Sequence, residues 1–256
     1  MRYFGSSLTD IGISRGVNQD SVFLRIENTP DRGQMALALV CDGLGGLEMG
    51  EYASSSTVEA FAKWFDDALP KAASITEDTV KEQWSNLIEK QNDALYRYGM
   101  DNDIRIGTTM TALLIVEDRY IIGHIGDSRC YEIAEGVKQL TEDHSFIARE
   151  IKEGRMTEVE ALKDSRKNAL LKCLGAFESV SADFYLGTVE KECCFLLCSD
   201  GLRHMLSSEE LGQRFAPENI MDGAFAEVAL ADAVRTVKER QEKDNISAIL
   251  IKSSTY

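Results

Sequence analysis

Three apolar runs in this chain end on an aspartate with a glycine beside it: LALVCDGLGG (37–46), YIIGHIGDS (120–128) and CCFLLCSDGL (193–202). Taken singly, Asp and Gly at the end of a strand are turn formers. Taken together they constrain the fold. A fourth aspartate, Asp244 of KDNISAILI, stands immediately before an apolar run instead of after one. In antiparallel pairing the C-terminal end of one strand lies beside the N-terminal start of its neighbour. Asp42, Asp127, Asp200 and Asp244 can therefore meet at one edge of the sheets, with Asp20 of GVNQDSVF as a fifth candidate.

The remaining pattern supports such sheets. Short apolar or alternating runs predict strands near 8–13, 20–27, 35–41, 109–117, 119–126, 128–134, 183–189, 193–199 and 246–252. Asp118-Arg119 separates two of them closely enough for a hairpin. Helical spacing runs through Ala53, Thr57, Phe61, Trp64, Phe65 and Ala68, then through Val80, Trp84, Leu87, Ile88 and Leu95. Ser74-Ile75-Thr76-Glu77 has the form of a capping box before the second. A third helix fits Ile220, Ala224, Val228, Ala231 and Val234. Strands followed by helices, without βαβ alternation, predict an α+β fold of stacked antiparallel sheets covered by helices. The polar, helix-patterned stretch 144–180 reads either as a small lid or as an ordinary helical excursion. With no repeat, no Pro/Ser-rich linker and only three prolines, residues 1–256 read as one domain with a sizeable core.

Charge narrows the partners. Forty-three acidic residues against 28 basic ones, a formal charge of −15, argue against a nucleic-acid or anionic-membrane surface. The excess either serves solubility or marks acids gathered to hold cations. No apolar run approaches the roughly 20 residues of a membrane helix, and MRYFGSSLTDIG lacks the apolar core of a signal peptide. Cys41, Cys130, Cys173, Cys193, Cys194 and Cys198 show no C-x-x-C spacing and sit mostly in apolar runs, as buried residues of a reducing compartment do. The expectation is a cytoplasmic protein, in which the sequon Asn245-Ile246-Ser247 carries no meaning.

Carboxylates packed together without counter-charge repel strongly, and a hard divalent cation removes that repulsion. Carboxylates, backbone carbonyls and water are what Mg²⁺ and Mn²⁺ prefer. Gly43, Gly45 and Gly46 would let the chain turn sharply after Asp42 and bring a carbonyl to the metal. Competing motifs fail. DGLGGLEMG has Glu48 at the third glycine position of a dinucleotide fingerprint, no G-K-[ST] follows, and GDSRC misses G-x-S-x-G at its last residue. His124, His144 and His204 are scattered and read as structural. Two cations in a cage of oxygen ligands suit hydrolysis of phosphate esters, and Arg15 is the best-placed guanidinium to grip the phosphate.

With these residues assembled, the sequence resembles the metal-dependent protein phosphatases of the type 2C (PPM) family in their compact bacterial form. TDIGISRGVNQDS, VCDGLGG, IGTTMTALLI, IGDSRCYEI, LTEDHS, CSDGL and DNISAILI follow the family's order from Thr9 to Ile251. The resemblance implies a sandwich of two antiparallel sheets flanked by α-helix pairs, with a small flap over about 144–180. It implies that Asp42 bridges two metals, Mn²⁺ or Mg²⁺, and that the Gly43 carbonyl binds one. Asp200 and Asp244 would complete the other shell, and Asp127 with Asp200 would form a third, weaker site. Asp20 would hold metal-bound water and Arg15 the substrate phosphate. Asp42, Asp200, Asp244 and Arg15 are thus the expected catalytic set. Hydroxide on the metals would attack the phosphorus of phosphoserine or phosphothreonine in proteins, opposing a cognate Ser/Thr kinase.

Two departures from the family pattern stand out. Gln19 occupies a position where many members carry Glu, and Leu44 one where some carry His. A different class of function is a phosphoprotein-binding regulator that keeps the scaffold without turnover. A small-ester hydrolase would share the chemistry. No long exposed apolar stripe suggests self-association, so a monomer is expected.

Overall fold

The computed structural model describes residues 1–30, 32–44, 49–161 and 163–254. In chain order its strands are β1 (Arg2–Asp10), β2 (Asp20–Asn28), β3 (Gln34–Asp42), β4 (Met110–Val116) and β5 (Arg119–Ile125). After them come β6 (Arg129–Ile133), β7 (Val137–Gln139), β8 (Asp183–Thr188), β9 (Cys194–Cys198) and β10 (Ile246–Ser254). The helices are α1 (Gly50–Ala68), α2 (Glu77–Asn102), α3 (Phe146–Lys152), α4 (Glu158–Ala161), α5 (Asp200–Arg203), α6 (Ser208–Arg214) and α7 (Gly223–Glu239).

Among the described residues the strands form two five-stranded sheets, ordered β1-β10-β9-β6-β7 and β2-β3-β4-β5-β8. Every strand pair in them is antiparallel. The sheets stack face to face, and helices cover both outer faces. A period of two within β3 shows why. Met35, Leu37, Leu39 and Cys41 face α1 and α2, packing with Phe61, Phe65 and Trp84. Ala36, Ala38 and Val40 face the other sheet, where Phe195, Leu197, Ile249 and Ile251 meet them. On the far side Leu196, Cys198, Ala248 and Leu250 pack under Leu230, Ala233 and Val237 of α7. Strands buried on both faces lose the alternation of a half-exposed sheet, hence the continuous apolar runs. Phe61 and Trp84 meet edge to face at 5.2 Å, worth roughly 0.5–1.5 kcal/mol beyond the area they bury.

The expected α+β sandwich is the observed fold, with local corrections. The first strand runs from Arg2 to Asp10 and not from 8 to 13, because it pairs with β10 along its whole length, Arg2↔Ser254 to Asp10↔Ile246. The capping box sits two residues later than expected: Thr76 caps α2 and exchanges hydrogen bonds with Thr79, leaving Ser74 in a preceding 3₁₀ turn. α7 continues to Glu239, with Asp222 accepting from the amides of Ala224 and Phe225 at 2.8 and 3.1 Å. β7 and α6 were not expected. Among its described residues the stretch 144–180 forms only the short α3 and α4; the bridge Ser145↔Leu170 ties its two legs to each other, and Thr108↔Leu174 ties it to the body. Among the described residues no helix is long and apolar enough to cross a membrane.

Candidate metal centre

The sheets bring the five aspartates to one end of the sandwich. Asp20, the first residue of β2, pairs directly with Asp42, the last of β3. Asp127 lies in the β5–β6 turn, Asp200 opens α5 just after β9, and Asp244 precedes β10. Burial pushes the Asp42 carboxyl well up, and the charges of Asp20, Asp200, Asp127 and Asp244 push it further. Burial likewise raises Asp200, opposed by His204 and Arg203 and reinforced by Asp244 and Asp20. Asp20 is pushed up to about 6 by burial, partly offset by hydrogen bonds from Ser247 and Ser199. Asp42, Asp127, Asp200 and Asp244 each keep part of their surface open.

The cluster carries more negative charge than its neighbours cancel, and one atom records the deficit: Asp200 Oδ1 is buried without a hydrogen-bond partner. The donors are all hard oxygens, as Mn²⁺ and Mg²⁺ require. The side chains are not drawn into a cage. Among the described residues no group of three Asp, Glu, His or Cys stands in ion-holding geometry. Three of the carboxylates are engaged elsewhere. Arg15 grips Asp244 in a bidentate pair at 3.0 and 2.7 Å. The Ser199 hydroxyl donates to Asp20 at 2.9 Å. Arg203 stands 3.3 Å from Asp127.

Neighbouring backbone explains the repeated Asp-Gly. A Cβ on Gly43 would lie 2.4 Å from the Gly50 carbonyl oxygen and 2.5 Å from that of Gln19. One on Gly201 would lie 2.0 Å from the Asn245 carbonyl oxygen. Only glycine allows the strand ends to approach this closely. Gly45 and Gly46 lie outside the described residues.

A model of the protein phosphatase 2C family matches residues 13–250. The chain belongs to that family. It is accordingly a metal-dependent protein phosphatase. The protein phosphatase PhpP of Streptococcus pneumoniae is 31% identical over 253 residues, 96% of each chain. The solved serine/threonine phosphatase of S. agalactiae superposes with a TM-score of 0.84 at 29% identity, over 99% of this chain and 100% of that one. The catalytic domain of the serine/threonine protein phosphatase PstP, solved with two manganese ions, superposes at 0.76 with 27% identity, over 98% and 97%.

Within this phosphatase 2C frame several positioning residues escaped the sequence reading. The Asp42 amide donates to Thr109 Oγ1 at 2.9 Å, and the Asp42 carbonyl accepts from the Thr109 amide at 2.8 Å and the Thr108 hydroxyl at 2.9 Å. Thr109 Oγ1 also bonds Ser128 Oγ. Asn245 Nδ2 donates to the Ile11 and Val17 carbonyls and its Oδ1 accepts from the Gln19 amide, stapling the loop that carries Arg15. In the sequence they are marked by the paired threonines of IGTTMTALLI and the Asn of DNISAILI. Gln19 turns its amide toward Glu51, 3.4 Å away. Leu44 anchors through its amide to the Gly107 carbonyl at 3.0 Å.

The histidines divide. His124 and His144 lie with ring centres 4.8 Å apart and planes tilted by 35°, and burial pushes His124 down to about 3. His144 Nδ1 accepts from the Gly126 amide at 3.1 Å, which seats the base of the 144–180 stretch against the Asp127 turn. His204 instead approaches Asp200 Oδ2 at 3.6 Å.

Proposed function

We propose that this chain removes phosphate from phosphoserine and phosphothreonine in proteins at a centre of two divalent cations, Mn²⁺ or Mg²⁺, opposing a Ser/Thr kinase. The observation that carries the reading is the convergence of Asp42, Asp200 and Asp244 from three separate strands, with Asp200 Oδ1 buried and unpartnered. Asp42, the Gly43 carbonyl, Asp200 and Asp244 would hold the cations. When bound, these would neutralise the phosphoryl oxygens and make a water acidic enough to give up a proton near neutral pH and serve as hydroxide toward phosphorus. The manganese-bound PstP relative supports Mn²⁺ as the first ion to try.

The chain's own residues divide the remaining work. Arg15 is more than one-third exposed and sits on a loop, so it can leave Asp244 and take the phosphate bidentately. Asp20, fixed by Ser199 and paired with Asp42, would orient water at the centre. The described thiols are all free and buried, which speaks against a cysteinyl-phosphate intermediate and fits a reducing cytoplasm. The 144–180 stretch, anchored beside Thr108 and Gly126, would act as a flap within a single domain.

The test is phosphate release from a phosphothreonine peptide as Mn²⁺ is titrated into chelator-treated protein. Activity should appear with metal and vanish with chelator. Asp42→Asn or Asp200→Asn should lose at least about 10³-fold, the scale of removing a principal electrostatic contributor, with an unchanged circular dichroism spectrum. Wild-type-like turnover in either variant would sink the proposal. Tight metal binding without turnover would favour a phosphoprotein-binding regulator.

A further inference from the structure

The five aspartates differ in what already balances them. Asp200 Oδ1 has no partner. Asp244 is held by Arg15, but the pair is 38% and 32% exposed and Arg15 belongs to a loop. Asp127 is different. Arg203 Nη2 lies 3.3 Å from both the Asp127 carboxylate and the Asp127 carbonyl oxygen. Both side chains are only 14% exposed.

Arg203 also has little room to withdraw. It closes α5, the single turn that begins at Asp200. Its Nη2 stands 3.7 Å from Asp143 Oδ2. Asp143, itself 8% exposed, is gripped bidentately by Arg129 at 2.8 and 2.7 Å. Arg129, Asp143, Arg203 and Asp127 thus alternate in sign and sum to zero. A divalent ion seated on Asp127 would have to stand against a fixed guanidinium or expel it from its buried partners, and both are costly. Arg203 Nε is moreover buried without an acceptor. A donor in that state is improved by an anion or a lone pair beside it and worsened by a second cation.

We infer that Arg203 is a built-in cation occupying the place of a third divalent ion at Asp127, so that this chain's centre takes two ions and not three. The inference rests on the two-cation reading above and departs from the expectation of a third, weaker site. Arg203 would act as a positioning residue, holding the β5–β6 turn against α5 with no metal needed there.

The test counts ions. Mn²⁺ is titrated into the chelator-treated full chain, and bound ions are measured by calorimetry and by the paramagnetic resonance signal of free Mn²⁺. The wild type should bind two, and Asp127→Asn should leave that number unchanged. Arg203→Thr should gain a third, weaker ion, lost again in Arg203→Thr/Asp127→Asn, while Arg203→Lys should stay at two. A third ion in the wild type that Asp127→Asn removes would overturn the inference. So would a folded Arg203→Thr protein that still binds two. If Arg203→Thr does not fold, the wild type against Asp127→Asn decides the matter alone. Asp42→Asn separates the two levels: an ion count that does not fall in that variant defeats the two-cation reading itself, whatever Asp127 does.

Discussion

At the scale of single residues, the site is held more by backbone anchoring than by side-chain contacts among the aspartates. Thr109 holds Asp42 through both the amide and the carbonyl. Thr109→Val keeps the shape and removes the hydroxyl, leaving a buried amide unsatisfied at a cost of about 1–3 kcal/mol. Urea denaturation should read that loss directly. The affinity for Mn²⁺ should fall by about 10–100-fold, as it does when groups orienting a ligand are removed; an unchanged dissociation constant would show that Asp42 needs no such anchor. Gly201 makes the same point by steric means. A methyl at Gly201→Ala would meet the Asn245 carbonyl oxygen, forcing Asp200 and Asp244 apart. Overpacking costs about 1–3 kcal/mol, yet Mn²⁺ binding should suffer more than the melting temperature does.

At the scale of elements, legibility followed burial. CFLLC and MALALVC are apolar on both faces because they lie between two layers, and they read as strands at once. β1 was harder: Gly5, Ser6 and Ser7 interrupt any pattern, and only its pairing with β10, more than two hundred residues away, makes it a strand. β7 is three residues of mixed exposure and carries no periodic signal. The site divided in the same way. The aspartates were legible because turn chemistry and strand ends are local. Arg203 was not: three residues after Asp200 it resembles any polar residue on a helix, and its partners Asp127 and Asp143 come from other parts of the chain. Thr109 and Asn245 hold backbone atoms 67 and 226 residues distant, a relation no sequence window contains.

At the scale of the molecule, the acidic cluster opposes the fold that creates it. The carboxylates repel one another within the closed sandwich, and the net charge of −15 adds a general repulsion. Mn²⁺ should therefore raise the melting temperature, with about 2.7 kcal/mol gained at an ion concentration of 100 times the dissociation constant. Asp42→Asn should behave in the opposite sense: more stable than the wild type in chelator and indifferent to Mn²⁺. A variant less stable than the wild type in chelator would mean that Asp42 supports the fold through contacts and does not strain it. Differential scanning calorimetry with and without chelator distinguishes these outcomes.

The pairing of the first strand with the last has a kinetic corollary. Asp42 is delivered by one sheet, while Asp200 and Asp244 flank strands of the other. No early folding intermediate that has made only one sheet can bring these aspartates together. Closing such distant strands is slow, because the chain entropy is lost before the contacts form. Cations should then arrive after the rate-limiting step, slowing escape from the native state while leaving the approach to it untouched. In stopped-flow measurements, Mn²⁺ should shift the unfolding limb of the chevron downward and leave the refolding limb where it is.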